Sequence, residues 1–112
     1  MNTEYKKYKN KKTTVFGRTF DSKREADRYL VLRSMEAKGE ISDLRCQVEF
    51  ELIPSQKKSD GKTERSTKYI ADFTYQKNGK TVVEDTKGFK TKEYIIKRKL
   101  MLFRYGIEVK EI

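Results

Sequence analysis

The sequence KYIADFTYQKNGKTVVEDTKG, residues 68–88, has alternating apolar residues on both sides of Asn78 and Gly79. An Asn-Gly pair between two such segments is the strongest short signal for a β-hairpin with a two-residue turn. If these two residues form the turn, counting outward along both strands brings Asp72 opposite Asp85. The segment therefore predicts a hairpin in which two carboxylates are cross-strand neighbours.

A lysine is predicted to share the sheet face of this carboxylate pair. Because side chains alternate along a strand, Lys87 lies on the face of Asp85, whereas Glu84 points to the other face. Cβ atoms of directly opposed residues are about 5 Å apart, so the two like charges repel each other. Two close carboxylates are hard oxygen ligands suited to Mg²⁺ or Mn²⁺, and a nearby ammonium suits the charge of a reacting phosphate. A surface salt-bridge cluster fits the same spacing equally well.

Helix and strand signals around the hairpin predict a single domain of the α/β class, as an α+β mixed sheet. Ser22 is the predicted N-cap of a helix that runs to Lys38, and Gly39 ends it. Four apolar residues of that helix are expected on one side, with Leu32 and Met35 flanking it: Ala26, Tyr29, Leu30 and Ala37. The other expected elements are a short hairpin or extended segment over residues 13–21, a strand over 44–53, a polar loop over 54–66, strands over 68–76 and 80–88, a helix over 91–105 and a strand over 107–112. The core order is therefore α-β-β-β-α-β.

The length of the chain indicates one folded domain, and its net charge indicates which kind of partner it binds. The chain has 112 residues, and we expect a flexible basic arm over residues 1–13 and one folded domain over 14–112. The net charge is +10, from 27 Lys and Arg against 17 Asp and Glu. Such an excess suits a polyanionic partner, nucleic acid before an anionic membrane surface. A charged protein with no such partner fits the same composition.

The residue types that are missing exclude several kinds of site. With no histidine and one cysteine, Cys46, the chain has no internal disulfide, no His/Cys zinc site and no Ser-His-Asp triad. Any catalysis must therefore use carboxylates, lysine, tyrosine or a bound hard metal. No apolar run approaches the roughly 20 residues that span a membrane. We therefore expect a cytoplasmic protein with no membrane partner.

The motif residues resemble a known nuclease superfamily. Asp72, in IADF, and Asp85-Thr86-Lys87 resemble the two halves of the PD-(D/E)XK motif, with Ala71 in place of the proline. The predicted element order is similar to the common core of that superfamily, and the resemblance covers residues 14–112. Small phage-encoded nuclease-like proteins are especially similar, through SKREADRY at 22–29 and VEDTKG at 83–88. These proteins resemble archaeal-type Holliday junction resolvases.

The resemblance implies a restriction-endonuclease-like domain and a role for each motif residue. Asp72 and Asp85 are expected to bind Mg²⁺ or Mn²⁺, with the Thr86 carbonyl as a further ligand, and Lys87 is the expected catalytic lysine. Glu25 is the expected helix-borne catalytic carboxylate that completes the site. Its spacing from the N-cap is also explained by a capping box. Gln47 is a candidate for DNA or active-site contact, against the alternative of a half-exposed strand residue.

We accordingly expect a metal-dependent DNA endonuclease that hydrolyses phosphodiester bonds and selects branched DNA. It would act as a homodimer in phage recombination or replication, in the cytoplasm of a host bacterium. The alternatives are a non-catalytic DNA-binding accessory protein, a general duplex or single-strand nuclease, and an enzyme on another phosphate substrate. The expected contacts to the nucleic-acid backbone are Lys57, Lys58, Lys62, Arg65, Lys97, Arg98 and Lys99.

Overall fold

A computed structural model describes residues 11–112 of the chain. In chain order the described elements are β1 (Thr13–Val15), β2 (Arg18–Phe20), α1 (Lys23–Ala37), β3 (Ser42–Ile53), β4 (Gln56–Lys57), β5 (Thr63–Glu64), β6 (Thr67–Lys77), β7 (Lys80–Asp85), α2 (Lys92–Tyr105) and β8 (Lys110–Glu111). Most of the predicted basic arm, residues 1–10, lies outside the described residues. Its last predicted residue, Thr13, already belongs to β1.

The chain divides into two compact units, which are described separately; the first extends to Glu40. In this unit β1 and β2 form an antiparallel hairpin, so the hairpin alternative for residues 13–21 is confirmed. The ring of Phe20 packs against Tyr29 of α1, with centroids 4.9 Å apart. A small aromatic cluster therefore joins the hairpin to the helix.

The ends of α1 follow the predicted signals. The Ser22 side chain accepts a hydrogen bond from the backbone N–H of Glu25 at 3.1 Å, which satisfies one of the free donors of the first turn. The helix ends at Ala37, and Gly39 follows in the left-handed region with φ of 79°. The predicted cap and stop are thus confirmed.

The predicted apolar side of α1 is wrong in part. Leu30 is 38% exposed and Ala37 is exposed, whereas Leu32 is fully buried. At about 100° per residue, Ala26 and Leu32 lie about 60° to either side of Tyr29, so these three buried residues share one side of the helix. Leu30 is displaced by about 100° from Tyr29 and therefore faces outward.

The second unit, Ile41–Ile112, is built on a mixed sheet. Its four strands have the order β3-β6-β7-β8, with antiparallel pairing except between β7 and β8, which are parallel. Parallel neighbours need a crossover connection, and α2 lies in that connection. The sheet and the two helices confirm the α+β mixed-sheet class. The core of this unit consists of Leu52, Tyr69, Ala71, Val83, Tyr94, Met101 and Val109.

Three predicted boundaries in the second unit need correction. β7 ends at Asp85 instead of residue 88, because the Thr86 N–H bonds to a side chain and not to a neighbouring strand. β8 covers only Lys110–Glu111 of the strand predicted over 107–112, since only these two residues pair with β7. The predicted loop over 54–66 contains the short hairpin of β4 and β5.

The second helix agrees closely with its prediction. Thr91 is its N-cap and accepts from the N–H of Tyr94 at 3.0 Å. Gly106 ends it in the left-handed region, with φ of 67°. Among residues 11–112, neither helix has the length and apolar character needed to cross a membrane.

Candidate active site

The register of the β6–β7 hairpin brings the motif residues together. Asn78 and Gly79 have φ of 53° and 76°, as a two-residue turn with right-handed strand twist requires. The predicted register is confirmed over five pairs: Lys77 with Lys80, Gln76 with Thr81, Tyr75 with Val82, Thr74 with Val83 and Phe73 with Glu84. Regular pairing stops one step before Asp72 and Asp85. The contacts of the motif residues therefore involve side chains at the end of the ladder.

The carboxylate of Asp72 links β6 to the segment that follows β7. Its Oδ2 accepts from the backbone N–H of Thr86 at 2.8 Å and from the hydroxyl of the same residue at 2.7 Å. Its Oδ1 lies 3.5 Å from Nε2 of Gln47, which stands in β3 with φ of 54°. The predicted proximity of Gln47 to the site is therefore observed, whereas its contact with DNA stays a prediction.

Asp85 is the buried member of the pair, at 2% exposure. Its Oδ2 accepts from the hydroxyl of Tyr69 at 2.5 Å, and its Oδ1 lies 3.6 Å from Nζ of Lys87. Burial raises the pKa of Asp85 to about 6, and the neighbouring Asp72 carboxylate adds to this rise. The Tyr69 hydrogen bond and the Lys87 charge act in the opposite direction. The two aspartates thus interact electrostatically, whereas their direct cross-strand pairing, which the hairpin count predicts, lies beyond the observed ladder and stays a prediction.

Lys87 lies between Asp85 and an aromatic ring. Its Nζ is 4.7 Å from the centroid of the Tyr94 ring. The Tyr94 hydroxyl donates to Glu111 of β8 at 2.7 Å, and Arg98 donates to the same oxygen at 2.8 Å. These two hydrogen bonds lower the pKa of Glu111 and keep it ionised. The ring that contacts Lys87 is therefore anchored at its hydroxyl end.

Glu84 has a different environment from its neighbour Asp85. It is fully buried, and its Oε2 accepts from the Tyr75 hydroxyl at 2.5 Å. In the register it opposes Phe73. These contacts agree with the prediction that Glu84 faces away from the carboxylate pair.

Tyr69 is a site residue that the sequence analysis missed. With strict alternation along β6, Tyr69 and Ala71 would lie on the same sheet face as Phe73 and its cross-strand partner Glu84. Instead both pack in one cluster with Val83, and the Tyr69 hydroxyl reaches Asp85. The alternation is therefore interrupted between Ala71 and Phe73. No residue type in KYIADF signals such an interruption.

Glu25 belongs to the first unit, in the first turn of α1, and it is 5% exposed. Its backbone N–H is used by the Ser22 cap. Its predicted role as a catalytic carboxylate beside Asp72 and Asp85 stays a prediction.

The predicted nucleic-acid-binding residues form two groups in the second unit. Four are exposed on or beside the β4–β5 hairpin: Lys57, Lys58, Lys62 and Arg65. Three are consecutive on α2: Lys97, Arg98 and Lys99. Within the second group Arg98 bonds to Glu111, so its guanidinium has a structural partner, whereas Lys99 is exposed.

A basic cavity adjoins Lys87. It has a volume of about 280 Å³ and is lined by Lys68, Tyr69, Ile70, Lys87, Thr91, Glu93, Tyr94 and Lys97. Three lysines against one glutamate give the lining a positive charge. Lys68, which was not among the predicted contacts, therefore joins Lys97 as a candidate for phosphate contact.

Within residues 11–112, no three His, Cys, Asp or Glu side chains form a group that could hold a metal ion. Asp72 and Asp85 form a pair, and the further ligand implied by the resemblance, the Thr86 carbonyl, belongs to the backbone.

Comparison with known proteins gives a family without a described activity. Residues 5–111 match the model of the family described as "Protein of unknown function (DUF1064)", and the chain belongs to this family. No curated protein and no solved structure matches the chain.

Proposed function

We propose that this member of the DUF1064 family is a metal-dependent DNA endonuclease that hydrolyses phosphodiester bonds. The supporting observation is that Asp72, Asp85 and Lys87 lie together at one end of the β6–β7 hairpin. Lys87 Nζ is 3.6 Å from Asp85, and the Asp72 carboxylate is close enough to raise the pKa of Asp85. These groups are the ones that the resemblance to PD-(D/E)XK nucleases assigns to the reaction.

The two aspartates fit a divalent cation by their chemistry. Burial and mutual repulsion disfavour the ionised form of Asp85, which is why its pKa is raised. A hard cation held by both carboxylates would relieve both effects, and carboxylate oxygens suit Mg²⁺ and Mn²⁺. Asp72 and Asp85 would hold the ion, with the Thr86 backbone carbonyl as the third candidate ligand.

Lys87 and Glu25 have proposed catalytic roles beside the metal ion. When bound, the ion supplies a Lewis acid for the scissile phosphate and lowers the pKa of a bound water. The Lys87 ammonium, which lies 3.6 Å from Asp85 and over the Tyr94 ring, would orient the attacking water or donate to the phosphate oxygen on which charge develops. Glu25 is the proposed fourth catalytic member.

Branched DNA is the proposed substrate, because the motif residues resemble those of Holliday junction resolvases. The net charge of +10 and the lysines that line the cavity beside Lys87 support a polyanionic partner. The homodimer, the role in phage recombination or replication, and the location in the host cytoplasm belong to the same proposal.

Cleavage assays test this function directly. A four-way junction, a linear duplex and a single strand are each incubated with Mg²⁺ or Mn²⁺ and with the wild-type protein, Asp85→Ala or Glu51→Ala. We expect the wild type to cleave the junction and Asp85→Ala not to cleave it. Glu51 is an exposed acidic residue of β3, so the control variant Glu51→Ala should cleave like the wild type. Equal cutting of duplex and junction would favour a general nuclease over a resolvase.

A non-catalytic DNA-binding protein is the second candidate. The observation that favours it is that Lys87 lies 3.6 Å from Asp85, so its charge already has a partner within the protein without any reaction. In that case the wild type binds DNA but cuts no substrate with either metal, and the endonuclease proposal fails.

A further inference from the structure

In both Asp72 and Asp85, the two carboxylate oxygens differ in the hydrogen bonds that they accept. Oδ2 of Asp85 accepts from the Tyr69 hydroxyl at 2.5 Å, and Oδ2 of Asp72 accepts two hydrogen bonds from Thr86 at 2.8 and 2.7 Å. Oδ1 of Asp85 lies 3.6 Å from Lys87, and Oδ1 of Asp72 lies 3.5 Å from Gln47. The Oδ1 contacts are longer than the Oδ2 contacts, so the protein holds Oδ2 more tightly than Oδ1.

We infer that Tyr69 and Thr86 are positioning residues that leave each aspartate one oxygen for a cation and thereby favour Mg²⁺ and Mn²⁺ over Ca²⁺. This inference rests on the proposed metal-dependent function of the same site. It adds two residues to the site and gives the site a preference among divalent ions.

The preference follows from how these ions coordinate. Mg²⁺ requires nearly octahedral geometry and is commonly bound through one or two carboxylates while it keeps several waters. Ca²⁺ takes six to eight oxygens in a flexible arrangement and often uses both oxygens of a carboxylate. A carboxylate whose second oxygen is held by the protein binds through one oxygen only. Two such carboxylates therefore suit the smaller, octahedral ion.

Tyr69 is fixed firmly enough to serve this role. Its side chain is 3% exposed, and its ring lies 6.5 Å from that of Phe50 and 6.4 Å from that of Tyr94, between centroids. A hydroxyl held by such packing has little freedom to follow a carboxylate that turns. Its hydrogen bond therefore sets the orientation of the Asp85 carboxylate.

Thr86 acts on the other aspartate from an equally defined position. It stands between Asp85 and Lys87 in sequence, and both its N–H and its hydroxyl point to Asp72. One residue thus sets the orientation of the Asp72 carboxylate. Partners of ligating groups typically contribute about 10- to 100-fold to metal affinity.

Metal binding without DNA tests the inference. Free Mn²⁺ is followed by its electron paramagnetic resonance signal during titration of the full chain, and Ca²⁺ is added as a competitor. We expect Tyr69→Phe and Thr86→Val each to weaken Mn²⁺ binding by about 10-fold or more and to make Ca²⁺ a better competitor than it is for the wild type.

Tyr75→Phe is the matched control. Tyr75 also donates a 2.5 Å hydrogen bond to a buried carboxylate, but that carboxylate belongs to Glu84, which faces away from the pair. Tyr75→Phe should therefore keep the Mn²⁺ affinity of the wild type. Thermal melting of all variants shows which are folded, and Thr86→Val tests the inference outside the core if Tyr69→Phe unfolds.

Each outcome decides the question. Weakened Mn²⁺ binding in Tyr69→Phe or Thr86→Val, with Tyr75→Phe unchanged, supports the inference. Unchanged affinity and ion preference in both site variants, or an equal loss in Tyr75→Phe, overturns it while the proposed function stands. If the wild type does not bind Mn²⁺, or if Asp85→Ala binds Mn²⁺ as well as the wild type does, the proposed metal site fails and the inference fails with it.

Discussion

Lys87 lies over the ring of Tyr94, with its Nζ atom 4.7 Å from the ring centroid. A cation in this position gains about 0.5–2 kcal/mol from the aromatic face, more as water is excluded. The ring is 6% exposed, and its hydroxyl is bound to Glu111. Tyr94 therefore restricts where the Lys87 ammonium can lie relative to Asp85.

Replacing the ring should slow DNA cleavage. We expect Tyr94→Leu to lower the single-turnover rate by about 3- to 30-fold, because the loss of about 0.5–2 kcal/mol of cation–ring attraction frees Lys87. Tyr94→Phe keeps the ring and should lose less. DNA affinity is measured in parallel to separate binding from the reaction. An equal loss of rate in both variants would assign the effect to the bond with Glu111 instead.

Removing the Asp85 charge should stabilise the metal-free protein at neutral pH. The raised pKa means that the native state binds more protons than the unfolded state between the ordinary value of 3.8 and about 6. Stability therefore falls as pH rises through this window. Asp85→Asn should raise the free energy of unfolding at pH 7 by on the order of 1 kcal/mol. Denaturant unfolding measures this quantity.

The pH series supplies its own control for Asp85→Asn. As pH falls from about 6 to below 3.8 the wild-type carboxyl becomes protonated first in the native state and then in the unfolded state, so the stability difference between variant and wild type should shrink. A stability gain that is the same at pH 4 and pH 7 would contradict the role of the buried charge. A gain at pH 7 together with lost cleavage would mean that the site costs stability.

Glu111 should have the opposite dependence on pH. Hydrogen bonds from Tyr94 and Arg98 lower its pKa below the ordinary value of 4.5. The stability that these bonds contribute is present above that value and is lost as pH falls through the lower native pKa. We expect Glu111→Gln to cost about 1 kcal/mol of unfolding free energy at pH 7 and less at pH 3. Thermal melting at both pH values checks this.

The cavity lysines should contribute to DNA affinity through phosphate contacts. The double variant Lys68→Ala/Lys97→Ala should bind DNA more weakly, and the slope of log affinity against log salt should fall by about one to two. Lys77→Ala/Lys80→Ala removes the same charge at the other end of the hairpin, where these two residues flank the turn. Fluorescence anisotropy at several salt concentrations measures both. Equal slopes in the two double variants would exclude a specific role for the cavity.

The hairpin could be predicted from sequence because its determinants are local. Asn78 and Gly79 tolerate positive φ, and the turn type then fixes the pairing of the strands. The starts of both helices could be predicted for the same reason, as Ser22 and Thr91 each accept a hydrogen bond from a backbone N–H three residues ahead.

Features that depend on tertiary structure could not be predicted. Tyr69 reaches Asp85 because the alternation of β6 is interrupted, in a stretch beside Gln47, whose positive φ no sequence rule signals. β7 ends at Asp85 because Thr86 bonds to a side chain 14 residues away in sequence. Leu30 and Leu32 are equally apolar, and only the packing of α1 decides which of them is buried.

The two-residue turn at Asn78 and Gly79 also limits how this protein can change in length. An added residue that shifts the pairing of β7 with β6 by one position would move every side chain of β7 to the opposite face, so Glu84 would stand where Asp85 now does. An insertion that adds one residue to each strand would leave the facing residues unchanged. Changes in the length of this hairpin that keep Asp72 facing Asp85 are therefore expected to add or remove one residue in each strand.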